Sequence, residues 1–426
     1  MKKLLLCSLL LSIFAINSLN AQWVQQTSGT TALLKSVSAI SDQICWVSGA
    51  GVVLRTTNAG ANWINATGNL AAGFGGSNIY GLDGQTAITA GTVSGNAFVY
   101  RTSNGGVNWT QVFTQTGGFI NSVQLTGGLN GYMMGDPVGT RWSLWNTNST
   151  GLAWDSTGLN LDGTGEAGWN NGMFITGTRV WFTTNTATGK IYYSTNSGLT
   201  FTAQQTGSTA ATYGTVWFNG PSIGMASSNG SLFYTTNAGT AWSALANLPG
   251  LATANVGGIT GKNQTWWVTR NTASTNIYLT RDNGATWISQ TCPSGAYSHV
   301  NLGRLSTGGS ANVWAVGDAG KIIYLSGIVG VEPINSQIPS KYLLEQNYPN
   351  PFNPETNINF SLPKSSSVKL NVYNSTGKLI TELVNEFKTA GNYSVKFDGA
   401  DLSSGVYFYT IESEGFRQTK SMMLIK

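Results

Sequence analysis

The sequence predicts an all-β protein, a seven-bladed β-propeller followed by a small immunoglobulin-like β-sandwich. One turn pattern recurs six times at intervals of 41 to 47 residues, and such a period with four short strands per repeat is typical of propellers. Only 9% of the 426 residues are charged and 54 are glycine, which favours short strands and tight turns over long amphipathic helices. Residues 342–426 lack the repeat and show alternating apolar strands instead, which indicates a second domain.

The chain begins with a segment typical of a secretory signal peptide. Lys2 and Lys3 precede an apolar run that starts at Leu4, and a polar stretch ends at Ala21. The apolar run is too short to span a bilayer, and we expect no transmembrane segment in the mature chain. Removal of residues 1–21 takes away two lysines and lowers the formal net charge from +5 to +3. Since the remaining basic residues form no run, nucleic acid is not an expected partner.

The repeated turn follows the pattern Ser/Thr-x-Asp/Asn-x-Gly-x-x-Trp, known as the Asp-box, and is clearest at residues 280–287. There Asp282 can accept hydrogen bonds from nearby backbone amides, and Gly284 supplies a positive φ. Trp287 is large enough to pack into a core. The third copy is the most degenerate, because Ser149 replaces the acidic or amide residue. The six turns begin at Thr56, Thr102, Thr147, Ser194, Thr235 and Thr280.

The strand before each turn is apolar on both faces, since neighbours such as Ile277 and Tyr278 point to opposite sides. Sheets covered on both sides fit radially stacked blades. A seventh repeat at 313–324 lacks its turn and last strand, while residues 23–29 look like the strand that follows an Asp-box. We therefore predict that the N-terminus completes the seventh blade and closes a propeller spanning residues 22–332.

These repeats resemble those of bacterial neuraminidase repeat propellers, most closely the photosystem II stability/assembly-factor-like group. The resemblance implies the propeller fold. It leaves the function open, because propellers of this kind include sialidases, glucanases, receptors and assembly factors.

The C-terminal part is predicted as a polar linker, residues 333–341, and a β-sandwich, residues 342–426. Its entry carries a proline-punctuated motif made of Asn347, Tyr348, Pro349, Asn350, Pro351, Phe352, Asn353 and Pro354. With residues 402–409 and the basic-ended segment 420–426, this motif resembles the type A C-terminal sorting domain of type IX secretion. The resemblance implies a Gram-negative bacterium, Sec export through the periplasm, the type IX machinery as partner, and a secreted or cell-surface destination.

Neither a disulfide nor a metal site or other cofactor is expected in the propeller. The repeat register places Cys45 and Cys292 in blades that are not neighbours, so we predict two separate buried thiols. No His pair, Cys motif or repeated carboxylate cluster has the spacing of metal ligands.

The candidate site lies on the face of the disc opposite the Asp-box turns, which we call the opposite face. It carries the entries to the innermost strands and the loops between second and third strands, and the charged residues and histidine that map there are Lys35, Asp136, Arg141, Glu166, Arg270, His299 and Asp318. Arg141, Arg270 and His299 are the candidate ligand-binding residues. A hydrogen-bonding role for His299 is favoured over that of a catalytic base.

Two functions are consistent with this face. The favoured one is a non-catalytic propeller that binds a protein or glycan, with its ligand over blades three and four, because scaffolds carry function on variable loops. The alternative is a glycoside hydrolase using Asp136 and Glu166, which requires the two carboxylates about 5–9 Å apart. A structural role is favoured over this chemistry, with Asp136 capping a turn between Gly135 and Pro137 and Glu166 solvating the channel mouth. Both carboxylates are expected on exposed loops, where each contributes under ~1 kcal/mol to folding.

Overall fold

The structure, a computed structural model, describes residues 23–425 except 127–128, 187–188, 209–213, 229, 247, 250–255, 305–309, 329–331, 334–340, 365, 389–390 and 401. The predicted signal peptide, residues 1–21, lies outside the described residues, as does most of the predicted linker. Within the described part, no helix has the length and apolar character needed to cross a membrane.

The described residues form seven antiparallel sheets that follow one another along the chain, and these are the blades of the predicted propeller. The innermost strand of each blade contacts that of the next, and the seventh contacts the first. From the innermost strand outward, blades one to three contain Leu34–Ala39, Cys45–Gly49, Val52–Thr56 and Ile64–Asn65; Gly75–Gly81, Ala87–Val93, Asn96–Thr102 and Thr110–Gln115; Ile120–Leu125, Gly131–Val138 and Arg141–Thr147. Blades four and five contain Met173–Thr176, Arg179–Thr183, Lys190–Ser194 and Thr202–Gln205; Val216–Asn219, Ile223–Ser228, Ser231–Thr235 and Ser243–Ala244. Blade six contains Val256–Lys262, Thr265–Arg270, Ser274–Thr280 and Ile288–Gly295, and blade seven contains Tyr297–Leu302, Ser310–Gly317, Ile322–Ile328 and Val24–Gln26, with a single 3-10 turn at Asp318–Gly320.

The N-terminal strand closes the ring, as predicted from the sequence. Val24–Gln26 pairs antiparallel with Ile322–Ile328 and forms the outermost strand of blade seven. Trp23, only 2% exposed, packs into the hydrophobic cluster shared by blades six and seven. The first described residues therefore hold the last blade in place.

Blade three differs from the four-stranded prediction, because its outermost segment is irregular. Residues 155–162 run along Arg141–Thr147 but make only isolated bridges to it, at Asp155 and Asp162. The side chains of these two aspartates accept local hydrogen bonds from Thr157 and Thr164 at 2.9 Å each. Such local turn bonds compete with the ladder of a regular strand.

All six Asp-box turns share two hydrogen bonds, of which the one accepted by the third residue was predicted and the one accepted by the first hydroxyl was not. The first hydroxyl accepts from the glycine amide four residues on, at 2.8–3.1 Å. The side chain of the third residue accepts from the amide four residues further, at 2.8–3.0 Å. In each of the six blades with an Asp-box, the residue before that glycine bonds to the first hairpin loop of the same blade, as Asn283 does to the Gln264 carbonyl. The first hairpin loops and the Asp-box turns therefore share one face, which we call the box face.

The C-terminal unit is the predicted β-sandwich, with two four-stranded sheets over one apolar core. The first sheet contains Glu332–Pro333, Gly391–Asp398, Glu355–Leu362 and Leu343–Leu344, and the second contains Leu379–Lys388, Ser366–Asn374, Gly405–Ser413 and Phe416–Leu424. One boundary differs from the sequence prediction. Glu332–Pro333 pairs with residues 393–394 as an edge strand of the sandwich, and not as the end of the propeller and start of the linker. Proline is tolerated at such an edge because no ladder bond to its nitrogen is needed there.

Candidate functional site

Polar side chains on the innermost strands join neighbouring blades. The innermost strand is an edge strand, so the amides that face away from its own blade need partners. Asn78 Oδ1 accepts from the Val123 amide at 2.9 Å, and Thr260 Oγ1 accepts from the Leu302 amide at 3.1 Å. Between blades seven and one, Asn301 Oδ1 accepts from the amide of Ala39 at 2.9 Å. These bonds fix the inner wall of the ring.

His299 makes the same kind of bond as Asn301. Its Nδ1 accepts from the Val37 amide at 3.1 Å, which requires the neutral ring with the proton on Nε2. The side chain is buried, and burial lowers the pKa of His299 to about 3. This position is consistent with the hydrogen-bonding role favoured from the sequence. Its ring also lines the space on the propeller axis.

We expect His299 to make the propeller acid-sensitive. Because the pKa of His299 is lower in the folded than in the unfolded chain, the stability that its neutral form contributes is present above pH 6.5 and is lost as the pH drops towards 3. The slope contributed by one such group is about 1.4 kcal/mol per pH unit. In urea denaturation between pH 6.5 and 4.5, wild type should lose about 2–3 kcal/mol more than His299→Asn. Asparagine is the matched variant because Asn301 already makes this bond two residues along the strand; parallel pH profiles would contradict the prediction.

Asn171 spans the axial channel near the opposite face. It lies at the entry to blade four, yet its Oδ1 accepts from the Ser36 hydroxyl of blade one and the Asn78 amide of blade two, both at 2.7 Å. Its Nδ2 donates to the Lys35 carbonyl at 3.0 Å, and its backbone amide donates to Asn121 of blade three. The backbone of Asn171 is left-handed, with φ 60°, a conformation that asparagine adopts more readily than most residues. Asn171 therefore links blades one to four across the end of the channel near the opposite face.

An axial cavity of about 350 Å³ lies between Asn171 and the box face. All seven blades contribute to its wall, mainly through the second halves of their innermost strands. Most of the wall is apolar or aromatic, including Ile79, Leu125, Phe174, Trp217 and Ile259. The charged side chains among the described lining residues are Lys262 and Arg304, and none of these residues is Asp or Glu.

Arg304 follows the innermost strand of blade seven and reaches across blade one to blade two. Its Nη2 donates to the Gly81 carbonyl, and its guanidinium carbon lies 4.1 Å from the ring centroid of Tyr80. Tyr80 is itself fixed, because its hydroxyl donates to the Leu125 carbonyl at 2.9 Å. Burial lowers the pKa of Arg304, although its side chain is exposed to the open space. The side chain is exposed because it faces the open cavity, and its pKa is nevertheless lowered because the blades surround that cavity.

Asp136 lies near the end of the second strand of blade three and bonds to the segment between blades three and four that contains Glu166. Asp136 Oδ1 accepts from the Gly168 amide at 2.7 Å, and burial raises the pKa of Asp136, an effect opposed by hydrogen bonds from Gly168 and Asn121. The expectation of exposed loop carboxylates is wrong for Glu166, whose side chain is 8% exposed.

Glu166 is buried because blades three and four supply partners for both of its oxygens. Oε2 accepts from Trp142 Nε1 at 2.9 Å, while Oε1 pairs with Lys190 and lies 3.4 Å from the Tyr192 hydroxyl. A buried carboxylate with an ammonium partner is costly to remove. Replacing Glu166 should therefore affect stability as well as any binding.

The three candidate binding residues do not form one cluster. Arg141 is exposed on blade three and donates to the Leu159 carbonyl at 2.9 Å. Arg270 is buried at the end of the second strand of blade six. Of the three, His299 alone is among the described residues that line the axial cavity. Sequence patterns did not indicate three residues that line the cavity, Asn171, Lys262 and Arg304, although each lies at or beside the end of an innermost strand.

Two expectations from the sequence concern the cysteines and the other possible metal-ligating side chains of the propeller. Cys45 and Cys292 are free and buried, as predicted from the repeat register. Among the described residues, no group of three or more His, Cys, Asp or Glu side chains is placed to hold a metal ion.

The motif at the entry of the sandwich is partly core and partly surface. Asn347 is buried, and its Nδ2 donates to the Pro349 carbonyl at 3.0 Å and to Thr356 Oγ1 at 2.9 Å. Phe352 packs in the sandwich core, and its amide donates to the Met423 carbonyl. Tyr348, by contrast, is 79% exposed.

The fold and the entry motif together define a protein class: a β-propeller followed by a β-sandwich that carries a secretion sorting motif. Residues 346–426 belong to the family of secretion system C-terminal sorting domains. This is the tail of type IX secretion, and the chain is a secreted or cell-surface protein of the Bacteroidetes. A search of curated proteins found no match.

Solved structures similar to this chain include two of YCF48. YCF48 bound to a D1 peptide is 14% identical, with a TM-score of 0.56, over 72% of this chain and 98% of that one. YCF48 from Cyanidioschyzon merolae has the same identity and coverage and a TM-score of 0.51. The extracellular domain of the one-component system BT4673 from B. thetaiotaomicron is 11% identical, with a TM-score of 0.51, over 96% of this chain and 58% of that one. At these identities the likeness shows the propeller fold alone.

Proposed function

We propose that this protein is a non-catalytic binding propeller, displayed on the cell surface or released, that takes its ligand into the axial cavity. The cavity itself carries the proposal. Asn171 lies across one end of it, and its volume of about 350 Å³ falls in the usual range of ligand pockets. Its wall combines a majority of apolar and aromatic residues with a smaller number of polar ones, as such pockets usually do.

The contacts of Glu166 favour this proposal over the hydrolase alternative. A general acid or base needs a proton or a free oxygen within reach of the substrate. Both oxygens of Glu166 already have protein partners, and one of these partners is the ammonium of Lys190. A ligand site over blades three and four, near Asp136 and Arg141, stays a prediction that the experiment below also tests.

Two tryptophans provide a matched test of the cavity. Trp217 and Trp287 are both partly buried and pack against the same hydrophobic cluster, but only Trp217 is among the described lining residues. The full mature chain is first screened on glycan and peptide arrays. Peptides are included because one similar propeller has been solved with a peptide bound.

For a ligand identified in this screen, we expect Trp217→Ala to weaken binding at least tenfold and Trp287→Ala to change it less than twofold. Isothermal calorimetry gives the affinities, and melting curves identify variants that fail to fold. Equal effects of the two substitutions would contradict the cavity as the site. Loss of binding in Asp136→Asn with normal binding in Trp217→Ala would place the ligand on the opposite face instead.

A further inference from the structure

The described wall of the axial cavity contains the cations Lys262 and Arg304 and no carboxylate side chain. Lys262 has another interaction partner, so Arg304 is the cation considered for the ligand. His299 is neutral there, because its Nδ1 accepts a backbone hydrogen bond. A cleft lined by one sign of charge with low-dielectric walls concentrates the opposite charge. The cavity therefore favours an anion over a neutral or cationic ligand.

Arg304 is held in place before any ligand arrives. It bonds to a backbone carbonyl and stacks on Tyr80, and neither contact neutralises its charge. A guanidinium has five N–H donors in a fixed plane, and the carbonyl of Gly81 takes one. Its side chain is exposed to the cavity, so its remaining N–H donors are accessible to a ligand. Donors directed in advance at an anion lose little freedom on binding.

We propose that the axial cavity binds organic carboxylates with an apolar body, and that Arg304 holds the carboxylate group. This inference rests on the proposed function, since it names the ligand class of the same cavity. Aromatic and aliphatic side chains such as Phe174, Trp217 and Ile259 face the apolar body. Charge-assisted bonds from a guanidinium to a carboxylate are about twice as strong as neutral ones. A volume of about 350 Å³ limits the ligand to a small molecule or to the end group of a larger one.

The test compares hexanoate with 1-hexanol, which have the same number of carbon atoms and differ in charge. Isothermal calorimetry on the full mature chain should give an affinity for hexanoate at least tenfold higher than for 1-hexanol. Arg304→Gln should remove this preference while the affinity for 1-hexanol stays within twofold. Arg304→Lys keeps the charge but loses the planar fork, so it should retain only part of the preference. If Arg304→Gln does not fold, the lysine variant decides the role of Arg304.

The outcomes separate the inference from the proposed function. Equal affinities for hexanoate and 1-hexanol in wild type would overturn the preference for anions, while the cavity would stand as a ligand site. An undiminished preference in both Arg304 variants would overturn the role of Arg304. If neither compound binds wild type, the carboxylate inference fails. The tryptophan pair then decides whether the cavity binds any ligand identified on the arrays.

Discussion

Deletion of residues 23–26 should lower the free energy of unfolding of the whole propeller by at least about 3 kcal/mol, which is the lower end of the cost of removing one buried tryptophan. Trp23 packs between blades six and seven, and its Nε1 donates to Gln290 Oε1 at 3.0 Å. Gln26 connects to blade one, donating to the Ala59 carbonyl at 2.8 Å and accepting from Trp63 Nε1 at 3.0 Å. The deletion also exposes the edge of Ile322–Ile328.

Urea denaturation of the full mature chain measures this effect, with single substitutions as controls. Trp23→Ala should account for most of the loss, because Trp23 is 2% exposed. Val24 lies on the same strand but is 57% exposed, so Val24→Ala should change stability by less than about 0.5 kcal/mol. An unchanged midpoint for the deletion would mean that the strand does not close the ring in solution.

Truncation before Tyr342 should leave the protein folded but retained in the periplasm. The matched sorting family covers residues 346–426, so the truncated chain lacks the whole domain that type IX secretion recognises. The hydrophobic core of the sandwich contains only residues from Leu344 to Leu424, with Tyr342 packed against it. Removing the sandwich therefore takes no side chain from the cores of the blades.

Cell fractionation tests this prediction, and a melting curve of the periplasmic material checks that the propeller is folded. We expect surface and medium levels of the truncated chain to fall at least tenfold. Val24→Ala, with an intact tail and an exposed site of substitution, should reach the surface like wild type. Normal surface levels of the truncated chain would rule out a sorting role for the tail.

Part of the candidate site could be predicted from the sequence and part could not. The sequence favoured a hydrogen-bonding role for His299, and in the structure its Nδ1 accepts a backbone hydrogen bond; its part in ligand binding stays a prediction. The burial of Glu166 was missed, since Trp142 and Lys190 come from different blades and meet it only in the folded ring. Lys262 and Arg304 belong to no sequence motif, and only the folded ring shows that they line the cavity.

By itself, the sequence determined the features that depend on local or repeated signals. Each Asp-box turn is fixed by residues within eight positions, so the hydrogen bond accepted by its third residue could be predicted from the sequence. The repeat period indicated the blades, and the missing last strand of blade seven indicated closure by residues 23–29. The sorting domain followed from an ordered set of short motifs within one domain.

Only the tertiary structure decided where the cavity lies and what lines it. Asn171 bonds to Ser36, 135 residues away, and His299 bonds to Val37, 262 residues away. Such pairs meet because closing the ring brings the innermost strands of all blades around one axis, whatever their distance along the chain. Their positions follow from the geometry of the closed ring and from no periodicity in the sequence. The placement of the site therefore required the structure, while the architecture did not.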